Sequence, residues 1–410
     1  MKEDLIYLST DPLGKEQLYY NIDTLKYSDS INDLITSREK DGLYFSTVLK
    51  FGYNYDDRTP YKNIKRVLPG ERVILSKSKR SIYKEPGFEF DFNRKENKNI
   101  KDLLFEKIKE ELTQIPKEEK EIGVLLSGGI DSSIVSAILL QLKEEGYISQ
   151  DLRFFSINNS EDTEYIELFE KRFNIKSTRL NYDLSNLTDD EKKEVLKINE
   201  TPVDLGSLFP TYVMFKELQK QNIRYIFTGD GPDELFGGYK RIDEYDSQLS
   251  DIFYELSFYH FPRLNKLARY FGLILKTPWC EEEMVRLAVN LPLEDRTHKK
   301  IMKDNFKDLI PEEIINREKR PLKNDLIKED KRSYRNELVE LFYEIMDESD
   351  DKILSEIYNE CSKCSNQYSC PEEECPLSEE HKKKLGEALA RRNKDKEWRK
   401  IHYANKSNKI

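Results

Sequence analysis

Two short turns constrain this chain more than any other feature. The first, Glu121–Ser133, reads E-I-G-V-L-L-S-G-G-I-D-S-S; the second, Phe227–Arg241, reads F-T-G-D-G-P-D-E-L-F-G-G-Y-K-R. Each follows an apolar run of strand type and opens a helix. In the first, Gly128 and Gly129 let the backbone approach a ligand closely, and the unpaired N–H groups of a helix start attract an anion. Ser127, Ser132 and Ser133 add hydroxyl donors, while Asp131 repels a bare phosphate and so implies a divalent cation between the two. No Gly-Lys-Ser/Thr is present, which excludes a Walker loop. A plain tight turn would explain the glycines alone. In the second turn, helix capping would explain acids at the helix start. Yet Asp230, Asp233 and Glu234 crowd three carboxylates into five residues, which is repulsive unless a cation binds. Asp131 and Asp233 both stand just past strand ends, the usual ligand crevice of an open α/β sheet, so a shared Mg2+ is the reading adopted.

The surroundings fit that frame. Residues 1–93 carry short β-like runs such as Leu43–Phe51 and Arg72–Ser76, punctuated by Gly, Pro and Asn-Asp clusters. Residues 94–99 form a charged linker without apolar side chains. Ile100, Leu103, Leu104, Ile108 and Leu112 then recur at helical spacing. Beyond them strands and helices alternate: Ile122–Leu126, Phe154–Ile157 and Tyr225–Thr228 read as buried strands, with a helix over Ile134–Leu142. The first two strands are far enough apart for the crossover helix that parallel pairing requires. The expected fold class is therefore α/β, a parallel-sheet domain over 100–345, preceded by a small β-rich domain over 1–95 and followed by a cysteine-rich helical tail over 346–410.

Together the two turns resemble the pyrophosphate loop and the acidic loop of the class B asparagine synthetases, members of the adenine-nucleotide α-hydrolase superfamily. The same synthetase domain occurs in β-lactam synthetases and lasso-peptide cyclases. The resemblance covers residues 100 to about 330. It implies ATP with Mg2+, a carboxylate substrate activated as an acyl-adenylate, and pyrophosphate as leaving group. It implies a nucleotide pocket of Leu126, Ser127, Gly128, Gly129, Asp131, Ser132, Ser133, Ser156, Ile157, Gly229, Asp230 and Gly231, with the backbone at Ser156-Ile157 reading adenine. Asp131 and Asp233 would hold Mg2+. Ile310-Pro311…Arg317-Glu318-Lys319 resembles the family's L-P…R-x-K, which makes Lys319 the lysine that meets the phosphates. Lys299 and Lys300, a pair on a polar stretch, read as solvated helpers at most.

Two departures qualify the resemblance. D-P-L-G-K-E-Q-L-Y-Y (11–20) and T-P-Y-K-N-I-K-R-V-L-P-G-E (59–71) resemble the second half of the family's glutaminase domain, of Ntn type. That domain works through a cysteine directly after the initiator methionine; here Lys2 stands there, and no cysteine precedes Cys280. The expectation is an inactive remnant that packs on the second domain. Second, G-L-I-L-K-T-P-W-C-E (272–281) resembles G-L-E-x-R-x-P-F-L-D with Ile274 and Lys276 in place of the glutamate and arginine. Isoleucine can neither take a proton nor orient an amine, so the amine-accepting half is rebuilt or lost. Glu281, Glu282 and Glu283 stand nearby, either as substitutes or as a solvated helix cap.

The last stretch departs from the family. Cys361, Cys364, Cys370 and Cys375 form C-x2-C-x5-C-x4-C, the donor set of a tetrahedral zinc site; an iron–sulfur cluster or metal-free thiols are the alternatives. Residues 346–380 hold 11 acids against 2 bases, and 381–410 hold 3 against 11. That segment reads either as a solvated appendage or as a stapled module whose basic arm contacts a polyanion. A net charge of -10 argues against a chain-wide nucleic-acid footprint. No run approaches the roughly 18 apolar residues of a membrane span. A cytoplasmic protein with no membrane contact is expected, and a homodimer is compatible with these features.

The functional expectation is an AMP-forming carbon–nitrogen ligase without glutaminase activity, taking nitrogen from ammonia, a substrate amine or a separate donor. The alternatives are a related enzyme acting on a tRNA or peptide gripped by the tail, and a nucleotide-binding regulator without catalysis.

Overall fold

The computed structural model describes residues 4–11, 13–51, 53–86, 99–158, 162–182, 187–202, 207–239 and 255–317, with positions 339, 341, 342 and 346 beyond them. Six short strands come first: β1 (Leu5–Ser9), β2 (Tyr19–Asn21), β3 (Tyr27–Ser28), β4 (Ile64–Arg66), β5 (Glu71–Ser76) and β6 (Ser81–Pro86). They form two antiparallel sheets, ordered β1-β5-β6 and β3-β2-β4.

Between β3 and β4 lies α1 (Gly42–Phe51), where the sequence suggested a strand. The aromatic and β-branched content of Leu43–Phe51 misleads, because local capping wins. Asp41 Oδ1 accepts from the backbone N–H groups of Leu43 and Tyr44 at 3.1 and 3.2 Å, the bond pattern of an N-cap. The Ser46 and Thr47 hydroxyls turn back to carbonyls four residues earlier. Tyr44, Phe45 and Val48 bury the inner face.

The linker ends at Asn99, whose side chain accepts from Asp102 N at 2.8 Å and caps α2 (Ile100–Thr113). There follows a five-stranded parallel sheet of β7 (Glu121–Leu125), β8 (Asp151–Asn158), β9 (Ser177–Asn181), β10 (Tyr225–Phe227) and β11 (Ile274–Lys276). Its spatial order is β11-β10-β7-β8-β9. Around it lie α3 (Ile130–Glu144), α4 (Thr163–Phe173), α5 (Asp189–Asn199) and α6 (Leu208–Lys220). The strands starting with β7 build outward in one direction as far as β9, and the chain then crosses back to place β10 on the other side of β7. That reversal between β7 and β10 opens a crevice at the carboxyl ends of the two strands, where α/β sheets bind ligands. The α/β parallel-sheet class expected from sequence is the one observed.

Two large cores sandwich the sheet. One joins α2, α3 and α4 through Leu104, Ile138 and Phe169. The other joins α6 to the N-terminal residues Tyr19, Phe45, Val48 and Ile64 through Phe155, Phe209, Phe215 and Ile226. Residues 4–86 thus share a core with the parallel sheet, and β1, β5 and β6 keep only a small core of their own around Val73 and Leu75. No helix among the described residues is long and apolar enough to cross a membrane. Cys361, Cys364, Cys370, Cys375 and the basic stretch after them lie outside the described residues.

Candidate active site

The two turns meet. The Leu126 amide donates to the Phe155 carbonyl at 2.8 Å, the last rung before the chain leaves the sheet. Ser127 and Ser132 bridge the loop by their hydroxyls at 2.9 Å, and Ser127 N donates to Ser132 Oγ at 3.1 Å. Gly128 adopts φ +72, and a Cβ there would press on the Asp162 carbonyl at 3.1 Å. Gly129 starts α3 without a side-chain cap, which leaves first-turn N–H groups for a ligand. Ser133 is fully buried and its hydroxyl has no hydrogen-bond partner among the described residues. Across the crevice a Cβ at Gly229 would lie 2.5 Å from Ser132 N: the loops are packed backbone to backbone, and only glycine fits. Gly231, at φ +108, faces the buried Cys280 thiol, which lies 3.5 Å from the Asp230 carbonyl. Burial pushes that thiol well above the usual cysteine range, so it packs as an inert apolar group.

The short helix α7 (Pro232–Leu235) carries Asp233 and Glu234. Glu234 is buried and receives the Tyr239 hydroxyl at 2.5 Å, with His260 Nε2 3.1 Å from the same oxygen. This clamp fixes the orientation of α7 and hence of Asp233.

At the centre is Lys299. Its Nζ lies 2.5 Å from Asp131 Oδ2 and 2.5 Å from Asp233 Oδ1. The residue is 4% exposed, so this is no solvated lysine; its neighbour Lys300 is, pairing with Asp295 and Asp304 at the surface. Burial opposes the charge on Lys299, but the two aspartates outweigh it and lift its ammonium above the ordinary lysine range. Two carboxylate oxygens within reach of one ammonium are also within reach of one hard cation, which prefers oxygen ligands. Among the described residues no group of three or more His, Cys, Asp or Glu could close a metal site, so the remaining ligands of such a cation would be phosphate and water. That donor set fits Mg2+, which keeps several waters.

Other residues singled out from sequence fall as follows. Ser156, on β8, is buried and donates from Oγ to the Leu126 carbonyl at 2.6 Å, bracing the loop's first residue. Ile157 follows at the carboxyl end of β8 and packs against the second core. Arg317 donates from Nη1 to the Gly128 carbonyl at 2.9 Å, pairs with Asp162 and stacks over Tyr165. It brings the segment before Lys319 to the glycine loop; Lys319 itself lies outside the described residues. At the departures, Ile274 opens β11, and Lys276 is buried with Glu111 at 3.0 Å and Gln114 at 2.6 Å. The three acids that follow are engaged elsewhere: Glu281 with Lys15, Glu282 with Arg286 and Glu283 with Lys107. Sequence reasoning named Lys299 beside Lys300 only as a possible helper and read the pair as solvated, whereas Lys299 is buried between two aspartates.

Comparison with known proteins agrees with this geometry. The family model for asparagine synthase matches residues 106–259 and 246–369. A protein named as an asparagine synthetase in Methanocaldococcus jannaschii is 26% identical over 317 residues, covering 71% of this chain and 54% of that protein. Asparagine synthetase B of Escherichia coli is 23% identical over 264 residues, 58% of this chain and 47% of its own. The human asparagine synthetase is 25% identical over 258 residues, 59% and 45%. This chain spans about half the length of the curated relatives it matches. A solved U34-tRNA thiolase, NcsA of Methanococcus maripaludis, superimposes with a TM-score of 0.29 at 14% identity over 67% of this chain and 87% of that one, too loosely to bear on the reading. With the family model matched over well beyond half its residues and the two loops meeting at the sheet's switch point, the chain belongs to the asparagine synthase family.

Proposed function

We propose that this chain is an ATP-dependent ligase that adenylates a carboxylate and passes the acyl group to ammonia or an amine. The observation that carries the proposal is the convergence of Asp131 and Asp233 on Lys299 in the crevice between β7 and β10. A carboxylate oxygen of the substrate attacks the α-phosphorus of ATP, and pyrophosphate leaves. The amine nitrogen then attacks the acyl carbon, AMP leaves, and the nitrogen loses a proton. The glycine loop and the start of α3 offer N–H groups to the pyrophosphate oxygens, and Ser127 and Ser132 keep that loop closed. Lys299, held in place by two carboxylates, adds fixed positive charge beside the leaving group, and Lys319 is assigned the same task. Asp131 and Asp233 would hold Mg2+, which when bound neutralises the triphosphate and polarises its oxygens. Residues 4–86 take the role of a packing partner for the parallel sheet.

ATP–pyrophosphate exchange tests the reading across amino acids and small carboxylates. At least one carboxylate should elicit exchange, and Asp131→Asn and Asp233→Asn should each lower it by about 10² or more with an unchanged circular dichroism spectrum. Exchange at wild-type rate in either variant would remove the cation assignment, and no exchange with any carboxylate would remove the ligase.

A further inference from the structure

A second polar site lies away from the crevice, where residues 4–86 meet the parallel-sheet domain. A cavity of about 40 Å³ is walled by Tyr44, Arg58 and Arg66 on one side and by Thr201, Phe258 and Arg263 on the other. That volume has room for about three water-sized spheres, which excludes a nucleotide and admits a compact anion.

The two arginines make the cavity unusual. Arg66 is 7% exposed and Arg263 is 6% exposed. Arg66 donates from Nη2 to the Ser257 carbonyl at 2.5 Å, and its guanidinium carbon sits 4.6 Å from the centre of the Phe258 ring. Arg263 donates from Nη1 to the Ser207 hydroxyl. Among the described residues the Nε of each is buried without a partner, and neither guanidinium makes an ion pair with a carboxylate. Asp11 lies near enough to Arg66 to favour its charge, but its oxygens accept from the backbone N–H groups of Leu13 and Glu16. Other buried cations of the described residues have an acid in contact: Lys266 has Glu200, Lys276 has Glu111, and Lys299 has two aspartates. On the same wall Arg58 is paired with Asp56 and Asp41. Two buried guanidiniums with no carboxylate in contact among the described residues are costly, and guanidinium forks match oxyanions in shape and charge. The buried Tyr44 hydroxyl adds a neutral donor to the wall.

We propose that this interface cavity binds a small oxyanion, a carboxylate or a phosphate, between Arg66 and Arg263. Occupancy would tie the N-terminal strands to the segment Ser257–Arg263, and it does not depend on the ligase reading.

The experiment is thermal melting of the full chain in low-anion buffer, titrated separately with acetate, inorganic phosphate and, as ionic-strength control, chloride. Wild type should show a saturable rise of a few degrees with acetate or phosphate beyond that with chloride. Acetate alone would identify a carboxylate site, phosphate alone a phosphate site. Arg66→Met and Arg263→Met should abolish the rise, and without added anion Arg263→Met should melt above wild type, because a buried charge with no carboxylate in contact among the described residues has gone. Phosphate bound at the glycine loop would persist in both variants, so the difference between wild type and variant reads this cavity alone. If a methionine variant fails to fold, Arg263→Lys decides: the charge without the fork should weaken the response. An equal response in wild type and variants, or none beyond chloride, overturns the proposal.

Discussion

Lys299 shows how one residue can be held against its own preference. It and His298 both lie at positive φ, 58 and 55, a region that side chains other than glycine and asparagine enter at a cost of about 1–2 kcal/mol. Two backbone bonds offset this: His298 N donates to the Gly237 carbonyl at 2.9 Å, and Lys299 N to the Phe236 carbonyl at 2.8 Å. Gly237, itself at φ +63, lets the strands of backbone touch, since a Cβ there would stand 3.1 Å from Thr297 Cα. The outcome is an ammonium between two carboxylates that would otherwise face each other. Lys299→Met should therefore lower stability by about 3 kcal/mol in EDTA, and Mg2+ should restore part of the loss by taking the ammonium's place. Melting curves with and without Mg2+ check this; a wild-type midpoint in EDTA would show that the aspartates do not need the charge. Asp131 and Asp233 were legible in the sequence because each announces itself locally, by glycines after an apolar run. Lys299 was not, since its partner Asp131 is 168 positions away and its near surroundings are those of a surface lysine.

At the scale of elements the same contrast holds. The strands β7, β8 and β10 were readable as apolar runs because both faces of a parallel sheet are buried. Helix α1 was not, because its composition favours a strand and only the Asp41 cap and the spacing of Tyr44, Phe45 and Val48 argue otherwise. Where α4 returns to β9, one carboxylate joins the two. Glu170 accepts from Ser177 N at 2.9 Å, from Ser177 Oγ at 2.6 Å and from Arg179 Nη2 at 3.0 Å. Burial raises its affinity for a proton, but the bonds from Ser177 and Arg179 outweigh that and leave it below the ordinary glutamate value of 4.5. A carboxylate with a depressed value stabilises the fold above its unfolded value, and the contribution fades as pH falls through the folded one. Glu170→Gln should thus cost about 1–3 kcal/mol at neutral pH. The gap between variant and wild type should close well below pH 4.5. Urea denaturation at both pH values measures it, and a gap independent of pH would mean that the ionised form is not what joins α4 to β9.

For the whole molecule, the division between residues 1–95 and 100–345 expected from composition does not coincide with a division of the core. Tyr19, Ile31, Leu34, Tyr44, Phe45, Val48, Tyr61 and Ile64 are all buried in the cluster that contains Phe155, Phe209 and Leu267. At about 1.5–3 kcal/mol for each large apolar side chain, their combined burial rivals the roughly 5–15 kcal/mol that keeps a whole domain folded. Polar ties reinforce the seam: Lys15 reaches Glu281 at 2.7 Å, Arg269 reaches Glu16 at 2.8 Å and Asp29 at 2.5 Å, and Asn265 donates to the Lys15 carbonyl. Glu281 directly follows Cys280, which packs under the Asp230–Gly231 turn, so the seam continues into the floor of the crevice. A chain starting at Asn99 should expose Phe155, Phe209 and Leu267 together, aggregate or bind hydrophobic dyes, and lose nucleotide-dependent stabilisation. The same residues supplied with a separately expressed 1–98 segment should recover a cooperative melt. A soluble, dye-silent 99–410 fragment with the melting point of the full chain would show that the first strands merely cover the sheet, and that its crevice is organised without them.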